Sequence, residues 1–281
     1  MRSQASGNRI LAVVVTYYPE QDLLEKNISA FIDYVDKVMI WENTPSDILE
    51  SYRFISHIKV DYFGDGINSI SHALNFAWKY ARDHGFNYLL TMDQDSRWVN
   101  FKDFLYRTIY NNTIPFGIYG PTIFGREYED DFHYGDIITS GMLVPIDILN
   151  DVGGYNEEFK IDGIDSYFCY SAMEKGYGVY TVKGCVLKQK FGGENLVSFL
   201  KYNFYTYHYS ASRLYEIYKS QVIIIRRFHV TAEYNKRFWR NRILKWPVKI
   251  LLGEGDKWNK YKNICKGLFA GILYKIHSVN I

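Results

Sequence analysis

Four short apolar runs, each ending on polar or glycine residues, constrain the fold of this chain more than any other feature. The runs cover residues 10–16, 37–41, 58–63 and 88–93. Residues 21–34 and 70–85, which lie between runs, carry apolar side chains at helical spacing. Strands that alternate with helices predict an α/β protein with a doubly wound, mostly parallel sheet. In such a sheet, ligands bind beyond the carboxyl ends of the strands.

The fourth run ends on two carboxylates, Asp93 and Asp95, that are separated by one residue. Residues i and i+2 of an extended backbone point the same way, so these two side chains are expected to converge beyond the strand end. Two convergent oxygen ligands suit a hard divalent cation that also binds phosphate oxygens. Asp-x-Asp after a strand is also a common turn sequence, so the motif alone leaves both interpretations open.

Length and cysteine usage indicate the class of protein. A chain of 281 residues can form one large α/β domain with an appendage. The three cysteines, Cys169, Cys185 and Cys265, have no spacing typical of a zinc site or a disulfide framework, which favours a cytoplasmic protein. The first residues lack the apolar core of a signal peptide. No apolar run reaches the length of about 18 residues that a membrane-spanning helix needs.

Charge is distributed unevenly along the chain. Residues 201–281 contain 16 lysines and arginines against 4 aspartates and glutamates, a net charge of +12, while residues 1–200 carry a net charge of −10. Aromatic residues interleave with the cations from 223 to 272, a pattern of helices that contact a membrane surface peripherally. A helical extension packed on the catalytic domain or in a homodimer interface is equally compatible with this pattern. Nucleic acid is not an expected partner, because no recognition module accompanies the charge.

Several motifs, taken in order, resemble one family. They are Val13-Val14-Val15-Thr16-Tyr17, Trp41-Glu42-Asn43, the segment 66–75, and Met92-Asp93-Gln94-Asp95-Ser96. This order resembles the GT-A glycosyltransferases of family 2. The longer segment 90–96 and the later Ile138-Thr139-Ser140-Gly141 are most similar to bacterial rhamnosyltransferase-like enzymes of polysaccharide assembly. The resemblance covers residues 9–220, and several weak motifs in order are more specific than any one of them.

The resemblance implies a fold and a division of the chain. We expect a GT-A fold, a Rossmann-like open mixed sheet flanked by helices, as a nucleotide-sugar-binding and catalytic domain over residues 1–220. Residues 221–281 would form a basic, aromatic-rich helical extension. The resemblance also implies donor-side roles: Mn²⁺ or Mg²⁺ on Asp93 and Asp95, and nucleotide-sugar contacts from Thr16, Tyr17, Glu42, Asn43, Asp65, Asn68, Asp93, Ser140 and Gly141.

On the acceptor side, the resemblance implies a catalytic base. The glycine-rich turn Gly153-Gly154 is followed by Asp162 and Asp165, which resemble the acidic motif of the family. Asp165 would take the proton of the acceptor hydroxyl in a single displacement with inversion, with Asp162 as its neighbour or substitute. From the residues alone, Asp165 is equally well interpreted as the N-cap of a helix over residues 167–173.

Four positions depart from the family pattern. Tyr167 and Ser171 replace an acidic residue and an arginine, Gln189 replaces a histidine, and Ala211 stands where arginine is usual. These departures leave the donor sugar and the level of activity open.

Three functions are therefore compatible with the sequence. The first is an inverting, metal-dependent glycosyltransferase that moves rhamnose or another hexose from a nucleoside diphosphate to a glycan or lipid-linked saccharide. The second is a haloacid-dehalogenase-like phosphohydrolase with Asp93 as nucleophile, although that architecture places its nucleophile strand near the N-terminus. The third is a non-catalytic carbohydrate-binding scaffold.

Overall fold

The computed structural model describes residues 8–45, 53–111, 114–125, 132–189, 195–199 and 202–275. The chain forms two compact units. The first contains Met1–Lys160 and Ile164–Gln189, and the second contains Ile161–Gly163 and Lys190–Ile281. The functional division expected at residue 220 stays a prediction.

The first unit is built on a mixed sheet with nine strands in the described part of the chain. The strands are β1 (Ile10–Thr16), β2 (Lys37–Glu42), β3 (Val60–Phe63), β4 (Tyr88–Asp93), β5 (Arg97–Trp98), β6 (Gly117–Ile123), β7 (Phe132–Tyr134), β8 (Met142–Pro145) and β9 (Gly178–Lys188). Their order is β3-β2-β1-β4-β8-β6-β9-β5, and β7 also pairs with β9. The predicted α/β class with an open mixed sheet is confirmed.

The parallel part of the sheet aligns the ends of its strands. β1 pairs in parallel with both β2 and β4, and β2 pairs in parallel with β3. Thr16 lies opposite Glu42, and Val15 lies opposite Asp93. The first five residues of β1, 10–14, are buried, as is typical of a sheet with helices on both faces. The carboxyl ends of β1, β2 and β4 therefore meet at one edge.

The remaining strands change direction. β8 runs antiparallel to both β4 and β6. β6 pairs in parallel with β9, with an irregularity between Pro121 and Thr122, and β5 and β7 pair with β9 in the antiparallel sense. The start of β8 and the end of β9 thus reach the edge at which β4 ends.

Helices of the first unit follow the apolar periodicity of the sequence. They are α1 (Gln21–Ile28), α2 (Ile70–Asp83), α3 (Phe101–Leu105), which continues as a π-helical turn, α4 (Ile146–Val152) and α5 (Ile164–Glu174). α2 begins after Ser69, whose hydroxyl accepts from the His72 backbone N–H as an N-cap.

The helix expected over residues 21–34 is shorter than predicted. α1 ends at Ile28, and a separate 3-10 turn covers Ile32–Tyr34. The Ser29 hydroxyl donates to the Lys26 carbonyl at 2.9 Å, and the Ala30 N–H donates to the carbonyl of Asn27, three residues earlier. Such local bonds compete with helix continuation.

The second unit is mainly helical in its described residues. It contains a hairpin of β10 (Asn195–Phe199) and β11 (Tyr202–Thr206), and the helices α6 (Ala211–Arg227), α7 (Ala232–Arg237), α8 (Trp246–Gly253) and α9 (Lys257–Leu273). A π-helical segment, Phe238–Lys245, joins α7 to α8. The core of the second unit consists of Leu214, Ile217, Tyr218, Trp246, Ile250 and Ile264.

Two glycines bring α9 close to α6. A Cβ atom built on Gly267 would lie 2.5 Å from the Tyr215 carbonyl oxygen, and one on Gly271 would lie 2.9 Å from that of Lys219. These helices therefore touch through their backbones. Within the described residues, every helix is too short or too polar to cross a bilayer.

Candidate functional site

Asp93 is the last residue of β4, and two neighbouring segments hold it. Its backbone N–H donates to the Ser140 hydroxyl at 3.1 Å, and its Oδ2 accepts from Gln189 Nε2 at 2.9 Å. Ser140 is buried just before β8, and Gln189 follows the last residue of β9. Next to Ser140, Gly141 donates its N–H to the carbonyl of Thr91 in β4 at 2.7 Å. Predicted site residues 93, 140 and 141 therefore lie together at the sheet edge.

The donor set at this edge fits a hard divalent cation. Asp93 ends β4 and Asp95 lies in the turn that follows it, so one extended segment does not present the two carboxylates as expected. Gln189 adds a carboxamide whose buried Oε1 has no hydrogen-bond partner within the described residues. Carboxylate and amide oxygens are the ligand types that Mn²⁺ and Mg²⁺ prefer. The described chain offers no group of three or more His, Cys, Asp or Glu side chains suited to a metal. A cation here would need further oxygen ligands, for example from a diphosphate.

Gln94, between the two aspartates, ties this edge to the loop after β1. Its amide accepts from the Tyr17 N–H at 2.7 Å and donates to the Tyr17 carbonyl at 3.1 Å. Asn27 in α1 donates to the Gln94 carbonyl at 2.7 Å. The sequence motif directed attention to the aspartates only, and Gln94 lies with Asp95 in the turn after β4.

The loop after β1 holds two half-exposed tyrosines. Tyr17 and Tyr18 pack edge to face, with ring centroids 4.6 Å apart. Tyr18 has φ +47°, a left-handed conformation that costs about 1 kcal/mol for a residue with a side chain. Its N–H donates to the Thr44 hydroxyl at 2.9 Å, which stabilises the turn. The backbone of this turn therefore holds the two rings just after the carboxyl end of β1.

Thr16 and Asn43 are linked at the ends of β1 and β2. The Asn43 N–H donates to the Thr16 carbonyl at 2.8 Å. Both side chains also bind Trp41: the Thr16 hydroxyl donates to its carbonyl at 3.2 Å, and Asn43 Oδ1 accepts from its indole N–H at 3.1 Å. The two side chains are buried, and these bonds set their orientation.

Glu42 is a buried carboxylate with one unsatisfied oxygen. Its side chain is 1% exposed, and Oε2 accepts from the Arg53 guanidinium at 3.2 and 3.3 Å. Oε1 is buried and has no partner among the described residues. Burial raises the pKa of Glu42, and Arg53 opposes that shift. A buried acceptor without a donor is a candidate to receive a hydrogen bond from a ligand.

Asp65, in the loop before α2, contacts His72 of that helix. Its Oδ2 lies 2.7 Å from His72 Nε2, and its Oδ1 accepts from the Ile67 N–H at 3.0 Å. On the other side of the ring, His72 Nδ1 lies 3.5 Å from Glu157 Oε2. Burial lowers the pKa of His72, but hydrogen bonds with Asp65 and Glu157 outweigh it, and the pKa is raised overall. Asn68, predicted to bind the nucleotide, is exposed in the same loop.

Asp165 lies inside helix α5 and is not its N-cap, so the capping interpretation is wrong. It is the second residue of α5, which begins at Ile164, three residues before the apolar pattern indicated. Its Oδ1 accepts from the Ser166 N–H at 2.8 Å, and the Ser166 hydroxyl donates to Asp136 at 2.9 Å. A carboxylate in the first turn of a helix is stabilised by the helix dipole.

Asp162 belongs to the second unit and forms a bidentate ion pair with Arg213 of the same unit. Arg213 Nε and Nη2 donate to its two oxygens at 3.2 and 3.3 Å. Burial raises the pKa of Asp162, and Arg213 opposes that shift. Arg213 stands two residues after Ala211, where the family pattern has arginine, and sequence reasoning missed it although it is part of the same motif.

Two of the residues that depart from the family pattern, Tyr167 and Ser171, lie in helix α5 without a charged group in their place. Tyr167 packs against Phe159, with ring centroids 4.9 Å apart. Ser171 is half-buried on α5. The structure gives no reason for the loss of charge at these positions.

In sequence, the chain is similar to a rhamnosyl transferase. It is 25% identical over 253 residues to the dTDP-rhamnosyl transferase RfbF of Shigella flexneri, which corresponds to 80% of this chain and 82% of that protein. No protein-family model matches the sequence.

Solved structures with the same fold are glycosyltransferases. The mannosyltransferase PcManGT from Pyrobaculum calidifontis, in complex with GDP-Man and Mn²⁺, superposes with a TM-score of 0.59 at 15% identity, covering 95% of this chain and 76% of that one. S. aureus TarS with UDP-GlcNAc has a TM-score of 0.54 at 16% identity, over 92% and 81% of the two chains. GalNAc-T7 with UDP, GalNAc and Mn²⁺ has a TM-score of 0.59 at 13% identity, but this chain spans only 56% of it.

The fold and the sequence similarity point to the same class of enzyme. The sheet matches that of the superposed structures, and Asp93 ends the fourth strand in the described part of the chain, whereas the phosphohydrolase alternative places its nucleophile strand near the N-terminus. The resemblance drawn from the motifs is confirmed: the chain has the GT-A fold of these glycosyltransferases and is similar in sequence to a rhamnosyl transferase.

Proposed function

We propose that this chain is an inverting, metal-dependent glycosyltransferase that moves rhamnose or another hexose from a nucleoside diphosphate to a saccharide hydroxyl. One observation carries the proposal: Asp93 is held by Ser140 and Gln189 at the edge where β1 and β2 end on Thr16 and Glu42. The similarity to a dTDP-rhamnosyl transferase favours a dTDP-linked donor.

On the donor side, Asp93 and Asp95 would hold Mn²⁺ or Mg²⁺, with the Gln189 carboxamide beside them. A bound cation offsets the negative charge that develops on a diphosphate leaving group. The Glu42 carboxylate, with its unpartnered Oε1, would accept a hydrogen bond from the base or ribose. The remaining nucleotide-sugar contacts would come from Thr16, Tyr17, Asn43, Asp65, Asn68, Ser140 and Gly141.

On the acceptor side, Asp165 would act as the general base. The acceptor hydroxyl gives its proton to the Asp165 carboxylate while its oxygen bonds to the anomeric carbon, and the diphosphate leaves from the opposite face, which inverts the configuration. The bond from the Ser166 N–H orients the carboxylate. Asp162 is the alternative catalytic carboxylate, but both its oxygens bind Arg213, which favours Asp165.

The acceptor would be a glycan or a lipid-linked saccharide of cell-surface polysaccharide assembly. Such acceptors are built at the cytoplasmic face of the membrane, so the enzyme would act there.

Calorimetry with dTDP-, UDP- and GDP-sugars tests the donor site. Each sugar is titrated with Mn²⁺, with Mg²⁺ and with chelator into the wild type and into Asp93→Asn/Asp95→Asn. The matched control is Asp103→Asn/Asp147→Asn, which removes two exposed carboxylates elsewhere in the first unit. We expect one nucleotide class to bind with metal, to lose that binding in the site variant and to keep it in the control. If no nucleotide binds the wild type, the proposal is refuted.

Turnover measurements test the base. Asp165→Asn should lower kcat about a thousandfold while nucleotide affinity stays the same, because a general base acts on the acceptor. The anomeric configuration of the product, read by NMR, should be opposite to that of the donor. Retention of configuration would contradict the single displacement.

A further inference from the structure

Helix α9 exposes a face that carries four apolar residues and one lysine. Trp258, Cys265, Phe269 and Ile272 follow one another at spacings of seven, four and three residues, with Lys262 between the first two, so they lie on one side of the helix. Trp258 is 83% exposed, and Phe269 and Ile272 are 64% and 56% exposed. We call these five residues the outer face of α9.

The opposite side of α9 is the buried one. It consists of Lys260, Ile264, Gly267 and Gly271, and Lys260 donates to the buried Glu254 at 2.7 Å. Two of its three aromatic side chains, Trp258 and Phe269, point to solvent, while Tyr261 packs against the core of the unit. Exposed large apolar residues that share a surface mark an interaction site.

A second exposed apolar stripe lies in the same compact unit. Leu244, Val248 and Leu251 are spaced by four and three residues along the end of the π-helical segment and α8, and each is more than half exposed. We call these three residues the α8 stripe. Two separate helices of one unit thus leave apolar side chains uncovered.

Positive charge accompanies both surfaces. Residues 257–275 contain five lysines and no acidic residue. Lys262 belongs to the outer face of α9, Lys266 lies one residue after Cys265, and both are exposed. Lys245 is exposed beside Leu244. A partner of these helices must therefore present apolar groups together with negative charge.

We propose that the outer face of α9 and the α8 stripe bind the surface of an anionic lipid bilayer. Trp258, Phe269 and the aliphatic residues insert at the boundary between headgroups and acyl chains, and Lys262 and Lys266 contact lipid phosphates. Interfacial helices combine these two contributions, apolar burial and attraction to anionic lipid. The binding does not depend on the donor chemistry, so it can fail or succeed independently of the proposed transferase activity.

A second copy of the chain is less favoured as the occupant. Two copies of one surface would bring Lys262 and Lys266 of each close to those of the other, and like charges without acids between them repel. A bilayer that contains phosphatidylglycerol supplies the complementary charge. The segment 201–281, with its net charge of +12, would be attracted as a whole.

Vesicle co-sedimentation of the full chain tests the proposal. The vesicles contain phosphatidylcholine alone or with about 30% phosphatidylglycerol, at about 0.05 M and about 0.5 M salt. The variants are Trp258→Ser/Phe269→Ser for apolar contact and Lys262→Glu/Lys266→Glu for charge. Matched controls in the first unit are Val99→Ser/Tyr110→Ser, which are also exposed, and Lys26→Glu/Lys102→Glu.

We expect binding to the anionic vesicles at low salt that weakens at high salt. Each α9 variant should lower the partition coefficient about tenfold, because each changes two of the contacting side chains, while the controls stay within about twofold. Tryptophan fluorescence should shift to the blue on binding in the wild type and less so in the variant without Trp258.

Three results would overturn the proposal. One is absence of binding to anionic vesicles, and another is equal binding by the α9 variants and the wild type. The third is a dimer in analytical ultracentrifugation that Trp258→Ser/Phe269→Ser dissociates, since a second copy would then cover this surface. Circular dichroism and nucleotide binding of each variant verify that the fold and the donor site remain intact.

Discussion

The side-chain amide of Gln94 forms two hydrogen bonds with the backbone of Tyr17, accepting at 2.7 Å and donating at 3.1 Å. Because Gln94 stands between Asp93 and Asp95, its two hydrogen bonds link the loop after β1 to the segment that carries both carboxylates. A nucleotide that contacts the tyrosines and a cation that contacts the carboxylates would therefore depend on the same glutamine.

Replacement of Gln94 should weaken donor binding more than stability. Gln94→Leu removes both hydrogen bonds to Tyr17, each worth about 0.5 kcal/mol because both are exposed to solvent. We expect the affinity for the nucleotide sugar to fall about tenfold, measured by calorimetry, with a decrease of about 1 kcal/mol in the free energy of unfolding. Gln21→Leu is the control, since Gln21 is an exposed glutamine whose amide binds Glu25. Equal affinities for Gln94→Leu and the wild type would show that the two segments act separately.

Gln189 should determine metal preference. Its amide lies 2.9 Å from Asp93 Oδ2, at the position where the related enzymes often have histidine. Imidazole is a softer ligand than a carboxamide, so Gln189→His should raise the affinity for Mn²⁺ relative to Mg²⁺ about tenfold in the presence of nucleotide. Gln189→Leu should lower the affinity for both ions. Unchanged affinities in both variants, measured by Mn²⁺ electron paramagnetic resonance, would place the cation away from Gln189.

Two adjacent glycines should respond differently to alanine. Gly153 and Gly154 have φ +88° and +81°, so either substitution costs about 1 kcal/mol in backbone strain. A Cβ on Gly154 would also lie 2.5 Å from the Trp78 ring and 2.6 Å from Asn75 Oδ1, whereas one on Gly153 has no neighbour within 4 Å. Urea unfolding should show a loss larger by about 1 to 3 kcal/mol for Gly154→Ala. Similar losses would mean that α2 moves aside easily.

His72 should make stability depend on pH near neutrality. Its raised pKa means that the folded protein favours the protonated ring, so this stabilisation is complete below the ordinary value of 6.5 and is lost as pH rises through the raised value. Solvent screening limits the effect to about 0.5 kcal/mol. His72→Gln should remove this part of the dependence in urea unfolding between about pH 6 and about pH 9.

The partner carboxylates provide the matching test for His72. Asp65→Asn/Glu157→Gln keeps the ring but removes both negative charges, which lie 2.7 and 3.5 Å from its nitrogens. Its stability should be as insensitive to pH as that of His72→Gln. A full pH dependence in this double variant would assign the effect to another group.

The sequence predicted those elements whose own apolar pattern agrees with the secondary structure they form. The strands that end on Thr16 and Asp93 are continuous apolar runs, and their bounds agree with β1 and β4. The antiparallel β8 between β4 and β6 was not predicted, because pairing of distant strands leaves no local period in the sequence. The early end of α1 is accompanied by local hydrogen bonds of Ser29 and Ala30, which apolar spacing does not indicate.

The candidate site was predicted unevenly for a related reason. Motifs indicated the residues that carry charge, such as Asp93 and Asp165. They did not indicate the side chains that bind the surrounding backbone or pair with Asp162, such as Gln94, Asn27 and Arg213. A hydrogen bond across 51 residues, as between Arg213 and Asp162, follows from the fold and has no signature in either segment.

The glycines at 267 and 271 have a consequence for the composition of the molecular surface. Where the α6 and α9 backbones nearly touch, the contact has no volume for a ring or a branched chain. Phe269 and Ile272, which are close to these glycines in sequence, lie outside the contact and are exposed. At this end of α9, the close approach of two backbones is therefore accompanied by apolar side chains on the exterior of the unit.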